Sequence, residues 1–68
     1  MNSGLAILIR DEVMEHYGNP NSLTISEKTL KKLVGEIGFN ALVETKITIP
    51  FAKTENGWYY GIRKQEGG

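Results

Sequence analysis

From Ala41 onward apolar residues fall on alternate positions: Ala41, Val43, Thr45, Ile47, Ile49 and Phe51 interleave with Leu42, Glu44, Lys46, Thr48 and Pro50. A period of two belongs to a strand with one buried face. Asn56-Gly57 follows shortly after, and this dipeptide suits a type I′ turn, whose two central residues both need positive φ. The spacing therefore predicts a C-terminal β-hairpin closing at Asn56-Gly57. That register pairs Glu55 with Trp58, Lys53 with Tyr60, Phe51 with Ile62 and Ile49 with Lys64. It puts Ile47, Ile49, Phe51, Trp58, Tyr60 and Ile62 on one face. It also sets Pro50 opposite Arg63, with its donor-less nitrogen turned away from the second strand, so a third strand is expected only beside Tyr59 to Lys64.

Upstream the period is helical. Ser3 is placed to cap a helix from about Gly4 to Tyr17, with Gly18 as a left-handed stop and Pro20 beyond it. Leu5, Leu8, Ile9, Val13 and Tyr17 form the expected inward stripe, which leaves Ile7 and Met14 off it as surplus apolar surface for a partner. The run Leu5 to Ile9 also fits a short buried strand, which periodicity alone does not separate from a helix. After a turn-rich link over Asn19 to Ser22, Ser26 caps a second helix from about Glu27 to Ile37, with Ile25 and Leu30 as a hydrophobic staple. Leu30, Leu33, Val34 and Ile37 share its inner face, and Lys28, Lys31 and Lys32 line the other. Gly38 suits the position just past the helix end, with Phe39 folding back on Val34. Gly35, on the polar side, is expected to mark a close approach of another backbone.

The fold expected is α+β: two N-terminal helices packed on a C-terminal antiparallel β-hairpin, in the order α-α-β-β. Its core would comprise Ile9, Val13, Leu30, Leu33, Val34, Ile37, Ile47, Ile49, Phe51, Trp58, Tyr60 and Ile62. With 68 residues there is chain for one domain, taken as residues 1–64 with a loose tail at 65–68. A chain of this size buries only about 60% of its unfolded surface. No cysteine is present to add a disulfide, and one histidine without thiols cannot build the usual zinc site. Completion of the fold by homodimerisation is therefore expected.

Eight basic residues cancel eight acidic ones, which counts against a strongly charged nucleic-acid binder or a DNA mimic. Absence of cysteine suits a reducing cytoplasm. The longest apolar run is far too short to span a bilayer, and nothing resembles a signal peptide.

No catalytic constellation stands out. His16 near Glu12 and Glu15 is a helix-end histidine that could supply at most two metal ligands, so neither metal nor cofactor nor small-molecule substrate is expected. The Gly67-Gly68 ending is shared with ubiquitin-like modifiers and sulfur carriers, but those open with a β-hairpin and this chain opens with a helical pattern. What remains is binding. Ile7 and Met14 on the first helix, and Tyr59 with Arg63 beside a free strand edge, are the candidate contacts to another protein. The first expectation is thus a non-catalytic regulatory or inhibitory protein that docks on another protein, itself included.

The alternative uses Lys28, Lys31 and Lys32 as a phosphate-facing strip. Helices followed by a hairpin resemble winged-helix and small phage repressor architectures, which are DNA-binding transcriptional regulators. Against this, the segment between Gly38 and Ala41 leaves no room for a recognition helix, unless Asn40 caps a single turn over Ala41 to Glu44 and the strand begins later.

Overall fold

The computed structural model describes residues 3–64. The element order is α1 (Ser3–His16), β1 (Ser22–Ser26), α2 (Glu27–Glu44), β2 (Thr48–Thr54) and β3 (Gly57–Arg63). The protein is α+β as expected, but its order is α-β-α-β-β, and the sheet has three antiparallel strands in the order β1-β3-β2. The expected tail at 65–68, with Gly67-Gly68, lies outside the described residues.

α1 ends where its sequence says it should. Gly18 has φ 86°, the Asn19 amide donates to the Met14 carbonyl and the Gly18 amide to that of Glu15, which closes a Schellman motif. The buried stripe is rotated from the expected one. Ala6, Arg10, Val13 and Met14 face inward, with Ile9 half-buried, while Leu5, Ile7, Leu8 and Tyr17 are exposed. Both stripes satisfy helical spacing; in the observed one Ala6 and Met14 join the core cluster, and Ile9 is the α1 side chain that comes close to Gly38 of α2. Met14 is therefore core, with no exposure at all, and is withdrawn as a partner contact.

β1 is the strand missing from the sequence reading. Leu23 and Ile25 point to the core and Ser22 and Thr24 outward. It pairs with β3 from Ser22 opposite Arg63 to Ser26 opposite Tyr59, along the edge where a third strand was expected. Ser26 then caps α2 as anticipated, its Oγ accepting from the Thr29 amide at 3.2 Å.

α2 does not stop at Gly38. It bends at Gly35, whose φ of 80° and ψ of 169° are non-helical, into a first limb (27–34) and a second limb (36–44). The two glycines exchange their expected roles. Gly35 has open space where a Cβ would stand and is required for its backbone angles, whereas a Cβ on Gly38 would lie 3.0 Å from Val34 Cβ and 3.6 Å from Ile9 Cδ1. Gly38 is thus the close-approach residue, and it lets the second limb bury Phe39 and Leu42. The helix ends at Glu44 with Thr45 as its cap, and Lys46 just beyond has φ 63°. The Ile47 amide donates to Leu42 and the Lys46 amide to Val43, a second Schellman motif in which a lysine occupies the glycine position.

The hairpin exists with a different register. Thr54 pairs with Gly57, Lys53 with Trp58 and Ala52 with Tyr59; a bulge at Phe51 then precedes Pro50 opposite Tyr60, Ile49 opposite Gly61 and Thr48 opposite Ile62. Gly57 has φ 111°, and Asn56 is not among the residues of positive φ. This excludes the expected type I′ turn and matches a loop in which glycine alone takes the left-handed position. The Thr54 hydroxyl holds the loop, accepting from the Asn56 amide and donating to the Gly57 carbonyl. The earlier turn shifts the register by two residues and leaves the faces unchanged; the one-residue bulge at Phe51 is what moves Ile49 and Phe51 to the outer face, away from Trp58, Tyr60 and Ile62.

One core results, built from Ala6, Val13, Met14, Ile25, Leu30, Phe39, Leu42 and Ile62, with Ile9, Val34, Ile47 and Tyr60 half-buried around it. Leu33, Ile37, Ile49, Phe51 and Trp58, expected inside, are exposed.

Candidate nucleic-acid interface

The bend at Gly35 decides which side chains of α2 face outward. Because Gly38, Phe39 and Leu42 are buried, Glu36, Ile37, Asn40 and Glu44 form the outer side of the second limb. Ile37 is 84% exposed, a large apolar side chain with no packing role. The outer side of this limb thus carries two carboxylates, one amide and one aliphatic side chain.

The first limb adds charge. Lys28 and Lys32 are exposed, and Lys31 Nζ lies 3.0 Å from Glu27 Oε2 and 5.0 Å from the centre of the Phe39 ring. The Tyr60 hydroxyl donates to Glu27 Oε1 at 3.4 Å, and its ring meets Phe39 edge-on at 5.2 Å. Glu27, Lys31, Phe39 and Tyr60 thus tie both limbs of α2 to the hairpin. The bond to Glu27 raises the Lys31 ammonium above its ordinary range, and burial first, then the Glu27 charge, raises the Tyr60 phenol. Lys31 is therefore partly neutralised, leaving Lys28 and Lys32 as the freer cations of the strip. Near the hairpin tip Lys53 Nζ lies 5.9 Å from the Trp58 ring centre.

The other expected contact residues scatter. Ile7 is exposed on α1, Tyr59 is half-buried beside Ala52 and Ser26, and Arg63 is exposed on the outer face of the sheet opposite Ser22. Tyr59 and Arg63 share that outer face, but Ile7 and the lysine strip belong to other elements. The strand edge expected to be free beside them is occupied by β1. His16 stacks edge-on with Tyr17 and borders a shallow hollow with Glu12, Glu15 and Leu33. Among the described residues no group of three His, Cys, Asp or Glu side chains could hold a metal ion, and no helix is long and apolar enough to cross a membrane.

Glu36, Ile37 and Asn40 were not singled out as contacts: with the second helix ended at Gly38, Ile37 was expected in the core and Asn40 only as the cap of a single turn over Ala41 to Glu44. The available signal was Phe39 and Leu42, which continue the helical spacing of apolar residues beyond that glycine. Comparison with known protein families, curated proteins and solved structures finds no match to this chain.

Proposed function

We propose that the protein is a small, non-catalytic DNA-binding regulator in which the second limb of α2 reads the major groove and the β2–β3 hairpin acts as a wing. The observation that carries this reading is the bend at Gly35. It supplies the two successive helical segments that a helix-turn-helix needs, directly before a hairpin whose second strand pairs with β1. The arrangement resembles the winged-helix one, and it restores the element that was missing between Gly38 and the strand.

The outward residues have suitable chemistry. Asn40 can bond an adenine edge bidentately, Glu36 can accept from a cytosine amine, and Ile37 can pack on a thymine methyl. Lys28 and Lys32 on the first limb and Lys53 on the hairpin are exposed and would supply the phosphate contacts, which position the protein without reading sequence. With about three such contacts the affinity should fall with salt at a log–log slope near −2.7, modest for a DNA binder and consistent with a neutral chain. The test is selection from a randomised duplex pool followed by anisotropy titration. Asn40→Ala should relax preference at one adenine, and Lys32→Glu should weaken all duplexes alike and reduce the salt slope by about 1. Duplex affinity that ignores both substitutions would end the reading.

A second reading has its own support. Leu5, Ile7 and Leu8 are exposed together at the start of α1, Leu8 at 64%, and a helix face of this kind suits docking on another protein or on a second copy. A homodimer formed there would present two reading helices to a palindromic site. Sedimentation equilibrium of the parent and of Leu8→Glu tests it: a parent that stays monomeric at micromolar concentration removes the self-association.

A further inference from the structure

We propose that the open face of the sheet is a second binding site, one for single-stranded nucleic acid, distinct from the duplex-facing side of α2. A groove of about 640 Å3 runs over this face from the C-terminal end of α2. Among the described residues its lining contains four cations, Arg10, Lys46, Arg63 and Lys64, and no carboxylate. The chain as a whole is neutral, so this is a local concentration of one sign.

Arg10 is the unusual member. It is only 8% exposed, and its Nε and one Nη donate to the same oxygen of Asp11, at 3.1 and 2.9 Å. Asp11 is half exposed and lies outside the groove lining. Lys46, Arg63 and Lys64 pair with no carboxylate among the described residues. Arg10 borders the groove from the core-facing side of α1 with its charge met by Asp11, so Lys46, Arg63 and Lys64 are the cations that raise the local potential, and a bound anion lowers it.

Phe51 determines which kind of anion. The bulge turns this ring to the outer face, where it is 68% exposed. It lies across Gly61, with Cβ and Cδ1 each 3.9 Å from the point where a Cβ on that glycine would stand. A flat aromatic surface on a glycine floor, flanked by fixed cations, combines the two elements by which single strands are held: base stacking and phosphate contact. Three strands at about 4.8 Å spacing make a surface roughly 10 Å wide, enough for two or three nucleotides. A run of acidic residues such as polyglutamate would satisfy the cations but offers the ring no aromatic surface to stack on.

The test uses the full chain and fluorescence anisotropy with labelled oligothymidine and oligouridine of about twelve nucleotides, beside a duplex of similar length. Both single strands, or one, should bind with strong salt dependence; the tighter of the two identifies DNA or RNA as the source. Phe51→Ala, at an exposed position, should weaken strand binding roughly 5- to 100-fold. Lys46→Asn, which removes the charge but tolerates positive φ, should weaken it several-fold and reduce the salt slope by about 0.7. Lys32→Glu on α2 should leave it unchanged while weakening the duplex. Parent-like affinity in Phe51→Ala, no strand binding at low salt, or equally tight binding of polyglutamate would each overturn the site. Strand binding without duplex binding would uphold this site and reject the α2 reading; duplex binding alone would do the reverse.

Discussion

Replacing Gly35 by alanine should destabilise the protein, and the sign of that effect tests the bend on which the DNA-binding reading depends. At φ 80° and ψ 169° the residue occupies a region open essentially to glycine alone, and forcing a side chain there costs about 1–3 kcal/mol. Nothing lies within 4 Å of the new Cβ, so crowding adds nothing and the cost is backbone strain. The stiffer unfolded chain offsets about 0.4–1 kcal/mol of it, leaving a net loss of about 1–2 kcal/mol. For a domain of this size that lowers Tm by roughly 4–16 °C. A straight helix over 27–44 predicts the opposite: there the same substitution would stabilise by about 1 kcal/mol through helix propensity. Thermal melting followed by far-UV circular dichroism separates the two. The chain is short enough for chemical synthesis, and D-alanine at the same position, for which the mirror-related backbone region is open, should recover stability. A higher Tm for the L-alanine variant would refute the bend and, with it, the separate reading helix.

Thr48 is 1% exposed and its hydroxyl is buried without a partner, so Thr48→Val should raise stability by about 1 kcal/mol in urea titration, and a loss would show that the hydroxyl is satisfied. Lys46→Gly removes a left-handed lysine at the end of α2 and should stabilise by about 1 kcal/mol while weakening strand binding to the sheet groove; a lower urea midpoint would contradict the strain assigned there. Burial and the Glu27 charge raise the Tyr60 phenol above its ordinary 10.0, so the folded state holds that proton more tightly than the unfolded chain. The stability linked to it is fully present below about pH 10 and is lost as pH rises through the folded value. The Lys31 ammonium, raised above 10.5 chiefly by its bond to Glu27, acts in the same direction at still higher pH. Urea midpoints taken between about pH 8 and pH 11 should fall at the alkaline end, and less steeply in Tyr60→Phe; identical curves would remove the phenol as the cause.

Some element ends were readable from sequence, though Gly38 was not the end of α2 and the hairpin turn closed one residue early; most faces were not readable. Gly18 closing α1 and Ser26 capping α2 were placed correctly, because caps follow from local chemistry within one turn. The edge of β3 that accepts another strand was also anticipated, since Pro50 blocks the far side of the hairpin. Face assignments failed wherever two patterns fitted equally well. On α1 the stripe through Leu5 and Leu8 is more apolar than the one through Ala6, Arg10 and Met14, yet the second is buried, and helical spacing alone fits both. In the hairpin the one extra residue at Phe51 carried Ile49 and Phe51 to the other face, whereas the earlier loop, a shift of two, left the faces as they were. β1 escaped notice because Leu23 and Ile25 make too short an alternation beside a strong helix cap.

The places where local rules are broken coincide with the two proposed surfaces. A lysine takes the left-handed position that closes α2, a phenylalanine sits exposed on a bulge, and an isoleucine stands almost bare on the outer side of the second limb. Each departs from what a chain selected for stability alone would carry, and a domain this small has little stability to spare. Lys46 and Phe51 border the sheet groove, and Ile37 lies with Asn40 on the outer side of the second limb, the surface proposed for the duplex. If these residues served only the fold, Lys46→Gly, Phe51→Ser and Ile37→Gln would be neutral or stabilising without any loss of binding. The prediction is that all three keep or raise Tm, that the first two lose strand affinity, and that the third loses only duplex affinity. Separation of stability from binding at these positions, in opposite directions, is the signature of surfaces maintained for contact.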